Sequence, residues 1–166
     1  MKLGIDFDNT IANYDHSFEE YARTNSIILH GNETPKISVR KALGKKTGGN
    51  LDWTRLQGDV YGSKMSDAQP NEGFVAFLEE CLSRAWQVVI ISHRTIYPAI
   101  GKPTNLHSVA FEWLKDHRIV SEDTLAHSQC FYETTLNSKI FRISQENCDA
   151  FIDDLPSVLQ HQSFPS

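Results

Sequence analysis

The sequence predicts a three-layer α/β core built on a parallel sheet, and three observations carry that reading. Four short stretches are almost continuously apolar: residues 2–6, Val88–Ser92, Cys130–Tyr132 and Ala150–Asp153. Runs of this length and character suit strands buried on both faces. Segments with helical spacing lie between them, as crossovers between parallel strands require. The residues able to do chemistry follow the strands directly, along the edge where open α/β sheets bind ligands.

The first strand runs straight into Asp6-Phe7-Asp8-Asn9-Thr10. In extended chain, residues i and i+2 project to the same side, so Asp6, Asp8 and Thr10 can converge on one pocket. Two carboxylates so close repel each other unless a proton, hydrogen bonds or a cation compensates, and a divalent metal is the natural compensation. A helix is expected over Ser17–Thr24. The interval from Asp15 to Pro70 is too long for one crossover helix and contains Pro35 and Gly48-Gly49. Residues 15–70 are therefore expected to form a small subdomain inserted into a core of residues 1–14 and 71–166. Within it, Asn50–Gln57 begins a helix capped by Asn50 or Asp52 and ending near Gly58 or Gly62. Trp53 and Tyr61 read as core of that unit rather than as ligand-stacking residues.

The next helix spans Glu72–Arg84, with Phe74, Phe77, Leu78, Cys81 and Leu82 at helical spacing to cover the sheet. The second strand ends in Ser92-His93-Arg94-Thr95. Arg94 reads equally as a structural residue and as a bidentate fork for a phosphate or carboxylate. His93 has no metal-ligand spacing with the other histidines and reads as satisfied by backbone, although its place beside Ser92 keeps it among the candidate substrate contacts. A helix over Leu106–His117 precedes the third strand. Lys139 lies fourteen positions before Asp153, and Asp153-Asp154 closes the fourth strand ahead of Pro156. Lys102 competes with Lys139 but sits in a Gly-Lys-Pro loop well before the third strand.

Composition narrows the function. No segment approaches the ~18 apolar residues needed to span a bilayer, and a first strand at Lys2 leaves no room for a leader, so a cytoplasmic protein is expected. A formal net charge of -5 argues against a nucleic-acid binder. The one basic run, Lys36, Arg40, Lys41, Lys45 and Lys46, reads first as a solvated face and second as help in recognising an anionic small molecule. Cys81, Cys130 and Cys148 lack paired spacing and are expected to be free thiols. Asn32-Glu33-Thr34 matches a glycosylation sequon by chance.

Taken in order, Gly4-Ile5-Asp6-Phe7-Asp8-Asn9-Thr10-Ile11, Val89-Ile90-Ile91-Ser92, Lys139 and Phe151-Ile152-Asp153-Asp154 resemble the four motifs of the haloacid dehalogenase superfamily. The resemblance runs from Lys2 to Leu159 and is weakest in the inserted segment. It implies a Rossmann-like core with a small, mainly helical cap after the first strand. It further implies that Asp6 is the nucleophile that forms an aspartyl-phosphate. Asp8 would be the acid and base. Ser92 and Lys139 would bind phosphoryl oxygens, and Thr10 would brace the loop. Magnesium would be held by Asp6, the backbone carbonyl of Asp8, and Asp153, with Asp154 direct or through water. Aspartate at position 8 favours phosphate-ester hydrolysis over dehalogenation. The expected activity is a magnesium-dependent phosphate monoester hydrolase acting on a small phosphorylated metabolite such as a sugar phosphate or nucleotide.

A phosphotransferase or mutase shares these motifs, and a phosphoacceptor receiver or an inactive scaffold is the non-enzymatic alternative. In a receiver, however, the acidic pair comes early in the chain and the lysine last. A P-loop is excluded because Val39 stands where Gly44-Lys45-Lys46-Thr47 would require a glycine five positions upstream. Only twelve residues follow Asp154, so a further strand after the last motif is expected to be missing, with dimerisation or cap contacts covering the exposed edge.

Overall fold

The computed structural model describes residues 1–165. Four parallel strands form the main sheet: β1 (Lys2–Ile5), β4 (Gln87–His93), β5 (Cys130–Glu133) and β6 (Ala150–Ile152), in the spatial order β5-β4-β1-β6. β1 is central. Leu3, Gly4 and Ile5 pair with Val88, Val89 and Ile90 on one side and with Ala150, Phe151 and Ile152 on the other. The chain moves outward from β1 through β4 to β5 and then returns to the far side of β1, so the topological switch lies between β1 and β6. The expected α/β class and all four strands are present. Among the described residues, no strand follows β6.

Period-two alternation divides the sheet between two cores. Leu3, Ile5, Val88 and Ile90 face one cluster together with Leu78 and Cys81 of α4 (Phe74–Ser83) and Ala110, Trp113 and Leu114 of α5 (Leu106–Asp116). Val89, Ile91, Phe131 and Phe151 face the other, with Ile140 and Ile143 of α6 (Leu136–Gln145) and Val158 of α7 (Pro156–Leu159). The near-continuous apolar strands thus follow from burial on both faces. Gly4 belongs to the second face, where the Phe151 ring lies against it.

Between β1 and β4 the chain inserts α1 (Asp15–Thr24), α2 (Pro35–Gly44) and α3 (Gly49–Gly58), followed by a π-helical turn, Asp59–Ser63. A two-residue antiparallel pair, β2 (Ala12–Asn13) with β3 (Gln69–Pro70), clips the two ends of this insert together. Phe18, Val39, Leu43, Trp53 and Leu56 are buried in the same cluster that lines the first face of the sheet. The insert therefore shares the domain's core instead of building one of its own.

Two helices were not anticipated from the sequence. α2 begins at Thr34, whose Oγ1 accepts from the Ile37 N–H, with Pro35 at its first position. α6 begins at Thr135, which caps the Ser138 N–H in the same way. The expected cap of the third inserted helix needs correction. Gly48, with φ at 76°, precedes α3, so Asn50 and Asp52 fall inside it. After Asp154 the described residues form one helix, the four residues of α7. The three cysteines are free, and no helix among the described residues is long and apolar enough to cross a membrane.

A Cβ at Gly4 would overlap the Phe151 ring and lie 2.9 Å from Cys148 Sγ. Gly4→Val is therefore expected to destabilise the fold by about 1–3 kcal/mol through overpacking. Urea unfolding followed by circular dichroism measures this, and an unchanged midpoint would refute the tight β1–β6 face.

Candidate functional site

β1 and β6 end side by side, and their next residues are both carboxylates. The Asp6 N–H donates to Ile152 O at 2.9 Å, which holds Asp6 at the carboxyl edge, where Asp153 emerges from β6. Lys139 reaches the same point from the first turn of α6, the helix whose Ile140 and Ile143 anchor it to the sheet. The Lys139 ammonium donates to Asp6 Oδ1 at 2.5 Å and to Asp153 Oδ2 at 2.6 Å. Asp6 is 5% and Lys139 2% exposed, so this ion triad is almost withdrawn from water. Burial, reinforced by the charges of Asp8 and Asp153 and opposed by Lys139, pushes the Asp6 carboxyl up to about 7. Burial and Asp153 also raise Asp154, against Lys36 and Lys139.

Carboxylate oxygens of Asp6, Asp153 and Asp154 lie within 4.8 Å of one another. Lys139 occupies only one oxygen each of Asp6 and Asp153. The remaining hard oxygen donors are of the kind that a divalent cation prefers. The Asp8 side chain lies outside this trio.

The loop after β1 is held by its own turn and by Asn71. Ile11 and Ala12 both donate to Phe7 O at 3.0 Å, and Asn9 takes the left-handed conformation (φ 64°) that asparagine tolerates. Asn71 Nδ2 donates to Asn9 O and Thr10 O at 3.0 and 2.9 Å, and its backbone N–H donates to Ile11 O at 2.8 Å. Thr10 Oγ1 accepts from the Asp154 N–H at 3.2 Å and sits 3.5 Å from Asp6 Oδ2. Thr10 thus links the two acidic segments, and its contacts are internal ones. Asn71 carries no sequence signal, because an asparagine after a proline reads simply as a turn residue.

Asp8 is held from behind. Tyr14 and Arg94 both donate to its Oδ1 at 2.5 Å. Arg94, 4% exposed, also donates through Nε to Leu106 O at 3.0 Å and through Nη2 to Tyr61 O. Its fork is committed to internal acceptors, so the alternative in which it reaches a substrate gives way to the structural one. Ser92 is 1% exposed, and its Oγ has no hydrogen-bond partner. His93 is exposed and lines the cavity, contrary to the expectation that backbone would satisfy it.

Asp6, Asp8, Lys139 and Asp154 open onto a cavity of about 290 Å³. The insert contributes Lys36, Gln57 and Tyr61 to its wall. Lys36 alone of the basic run turns inward; the other four members are exposed. Burial works against its ammonium, but Tyr61, Asp154 and Asp8 outweigh that and hold it above the ordinary lysine range. Trp53 is core as expected, whereas Tyr61 reaches the cavity. Lys102 lines a different cleft, beside Trp113, and leaves Lys139 without a rival.

No family model matches this chain, and no curated protein matches it in sequence.

Lys139→Met leaves two buried carboxylates uncompensated and is expected to cost about 3–5 kcal/mol at pH 7.5. The loss should shrink at pH 5, because Asp6 titrates above the ordinary carboxylate range and takes a proton there. Unfolding midpoints at the two pH values measure both effects; an equal loss at each would contradict the electrostatic role.

Proposed function

We propose that this chain is a magnesium-dependent phosphate monoester hydrolase of the haloacid dehalogenase type, working through a phosphorylated Asp6. The observation that carries the reading is the division of labour between the two carboxylates of the first loop. Asp6 is locked against Lys139 at the sheet edge, and Asp8 is held separately against Tyr14 and Arg94. Both line one cavity.

In the first step an Asp6 carboxylate oxygen bonds to phosphorus as the ester P–O bond breaks, and a proton passes from Asp8 to the leaving oxygen. In the second, a water oxygen bonds to phosphorus and gives its proton to Asp8, while the aspartyl P–O bond breaks and its electron pair returns to Asp6. Lys139 limits repulsion between Asp6 and the incoming phosphoryl group. Ser92 lies outside the lining of the cavity, but its buried hydroxyl has no internal partner, and on this reading it would donate to a phosphoryl oxygen. Asp6, Asp153 and Asp154 would hold magnesium, with the Asp8 carbonyl as a further oxygen donor. Bound there, the ion would supply charge neutralisation for the phosphoryl oxygens.

On this reading the helical insert is the cap. It closes one wall of the cavity with Lys36, Gln57 and Tyr61, and a cavity of about 290 Å³ suits a small phosphorylated metabolite rather than a macromolecule.

Wild-type protein is expected to release inorganic phosphate from 4-nitrophenyl phosphate over many turnovers, and chelating magnesium should stop it. Asp6→Asn should abolish turnover, whereas Ser92→Ala should raise KM with little change in melting temperature. Phosphate release assayed beside thermal melts tests all of these. Undiminished hydrolysis by Asp6→Asn would overturn the mechanism.

A further inference from the structure

The contacts around Asp8 are richer than a simple ion pair. Its Oδ1 takes two donors, Tyr14 from the start of α1 and Arg94 from the end of β4, whereas Oδ2 accepts no hydrogen bond among the described residues. Arg94 is itself fixed from several directions. Its guanidinium lies 5.5 Å from the Phe7 ring and 5.7 Å from the Tyr61 ring, its backbone N–H donates to Glu133 O at 2.7 Å, and its carbonyl lies 2.7 Å from His107 Nε2. Tyr14 is 1% exposed and packs edge-on against Tyr61, with ring centroids 4.9 Å apart. Neither residue lines the cavity that Asp6 and Asp8 share. Tyr14 borders a neighbouring cavity of about 450 Å³ that shares Asn9, Lys36, Asp154 and Leu155 with the first, but its hydroxyl donates to Asp8, and the Arg94 fork is spent on internal acceptors, so both would act on bound substrate through Asp8.

We propose that Tyr14 and Arg94 are positioning residues that immobilise Asp8 by its Oδ1 and reserve Oδ2 for the proton exchanged with leaving oxygen and water. The inference rests on the phosphatase reading above. Two donors on one oxygen distinguish the carboxylate's two ends, so the proton of each step has a single address. A carboxylate free to rotate about its side-chain torsions would present either oxygen, and small misplacements of a reacting group are costly. Because Arg94 also holds Tyr61 O, the same fork ties the acid's position to the inserted helices.

The test compares Tyr14→Phe and Arg94→Lys with wild type on two esters by rapid mixing. From 4-nitrophenyl phosphate the leaving group departs without a proton, so only the second step needs Asp8; from glycerol phosphate both steps need it. In each variant the aryl ester is expected to give a stoichiometric burst of nitrophenolate. Turnover should then run roughly 10–100-fold below wild type. Glycerol phosphate should give no burst and a still larger loss. A merely structural role would instead lower burst amplitude and both turnover rates together. Equal losses on the two esters without a burst, or wild-type rates in Tyr14→Phe, would overturn the proposal. Tyr14→Phe removes a single hydroxyl and decides the question should Arg94→Lys fail to fold. A wild type inactive on both esters would instead overturn the phosphatase reading, and this proposal with it.

Discussion

Lys139 sets its ammonium 2.5 Å from one oxygen of Asp6 and 2.6 Å from one of Asp153, with all three groups nearly sealed from solvent. Burying three such charges is expensive, and only close mutual contact offsets the loss of hydration. Much of the molecule is arranged to maintain that contact. β1 and β6 must lie adjacent and in register so that Asp6 and Asp153 emerge together. α6 must run back across the sheet at the height that delivers Lys139, and its two buried isoleucines fix that height. The bare side chain of Gly4 permits the Phe151 ring to close the face beneath the triad. One ammonium does not neutralise Asp6, Asp153 and Asp154 together, and on the proposed reading a bound cation would offset the surplus negative charge.

A second arrangement, built around Asp8, keeps the two carboxylates of the first loop from becoming interchangeable. Asp6 faces an ammonium from the sheet side, whereas Asp8 faces a guanidinium and a phenol from the side of the inserted helices. Burial first, with the Asp8 charge behind it, raises the Tyr14 phenol well above its ordinary range, so it stays a donor. The insert is not a loosely attached lid. It shares the core of the sheet's first face, its ends are clipped by β2 and β3, and Arg94 joins its π-helical turn to Asp8.

The sheet was legible because strands buried on both faces leave a strong trace in sequence, a run of apolar residues with a polar stop. For the same reason the sequence places Asp6, Ser92 and Asp153 at one edge of the sheet. α2 and α6 were missed because Lys, Arg and Ser break up their apolar stripes. The capping threonines, Thr34 and Thr135, were the available signals. Arg94 could not be resolved from sequence, since an arginine at a strand end looks the same whether its fork meets a ligand or a distant carbonyl. The contributions of Asn71 and Lys36 depend on residues far apart in the chain, Asn71 reaching Thr10 across 61 positions, whereas Tyr14 meets Asp8 from only six positions away across an irregular turn that no periodic pattern encodes.

The claim on which the rest turns is that phosphate passes through a covalent bond to Asp6. Acid quenching of the protein during incubation with 4-nitrophenyl phosphate, followed by peptide mapping by mass spectrometry, tests this directly, with Asp8→Asn used to slow the second step, the only one that needs Asp8 with this ester. The account predicts a hydroxylamine-labile phosphoryl group on the peptide that carries Asp6. Phosphate release with no modified peptide, or with the modification on another residue, would contradict it.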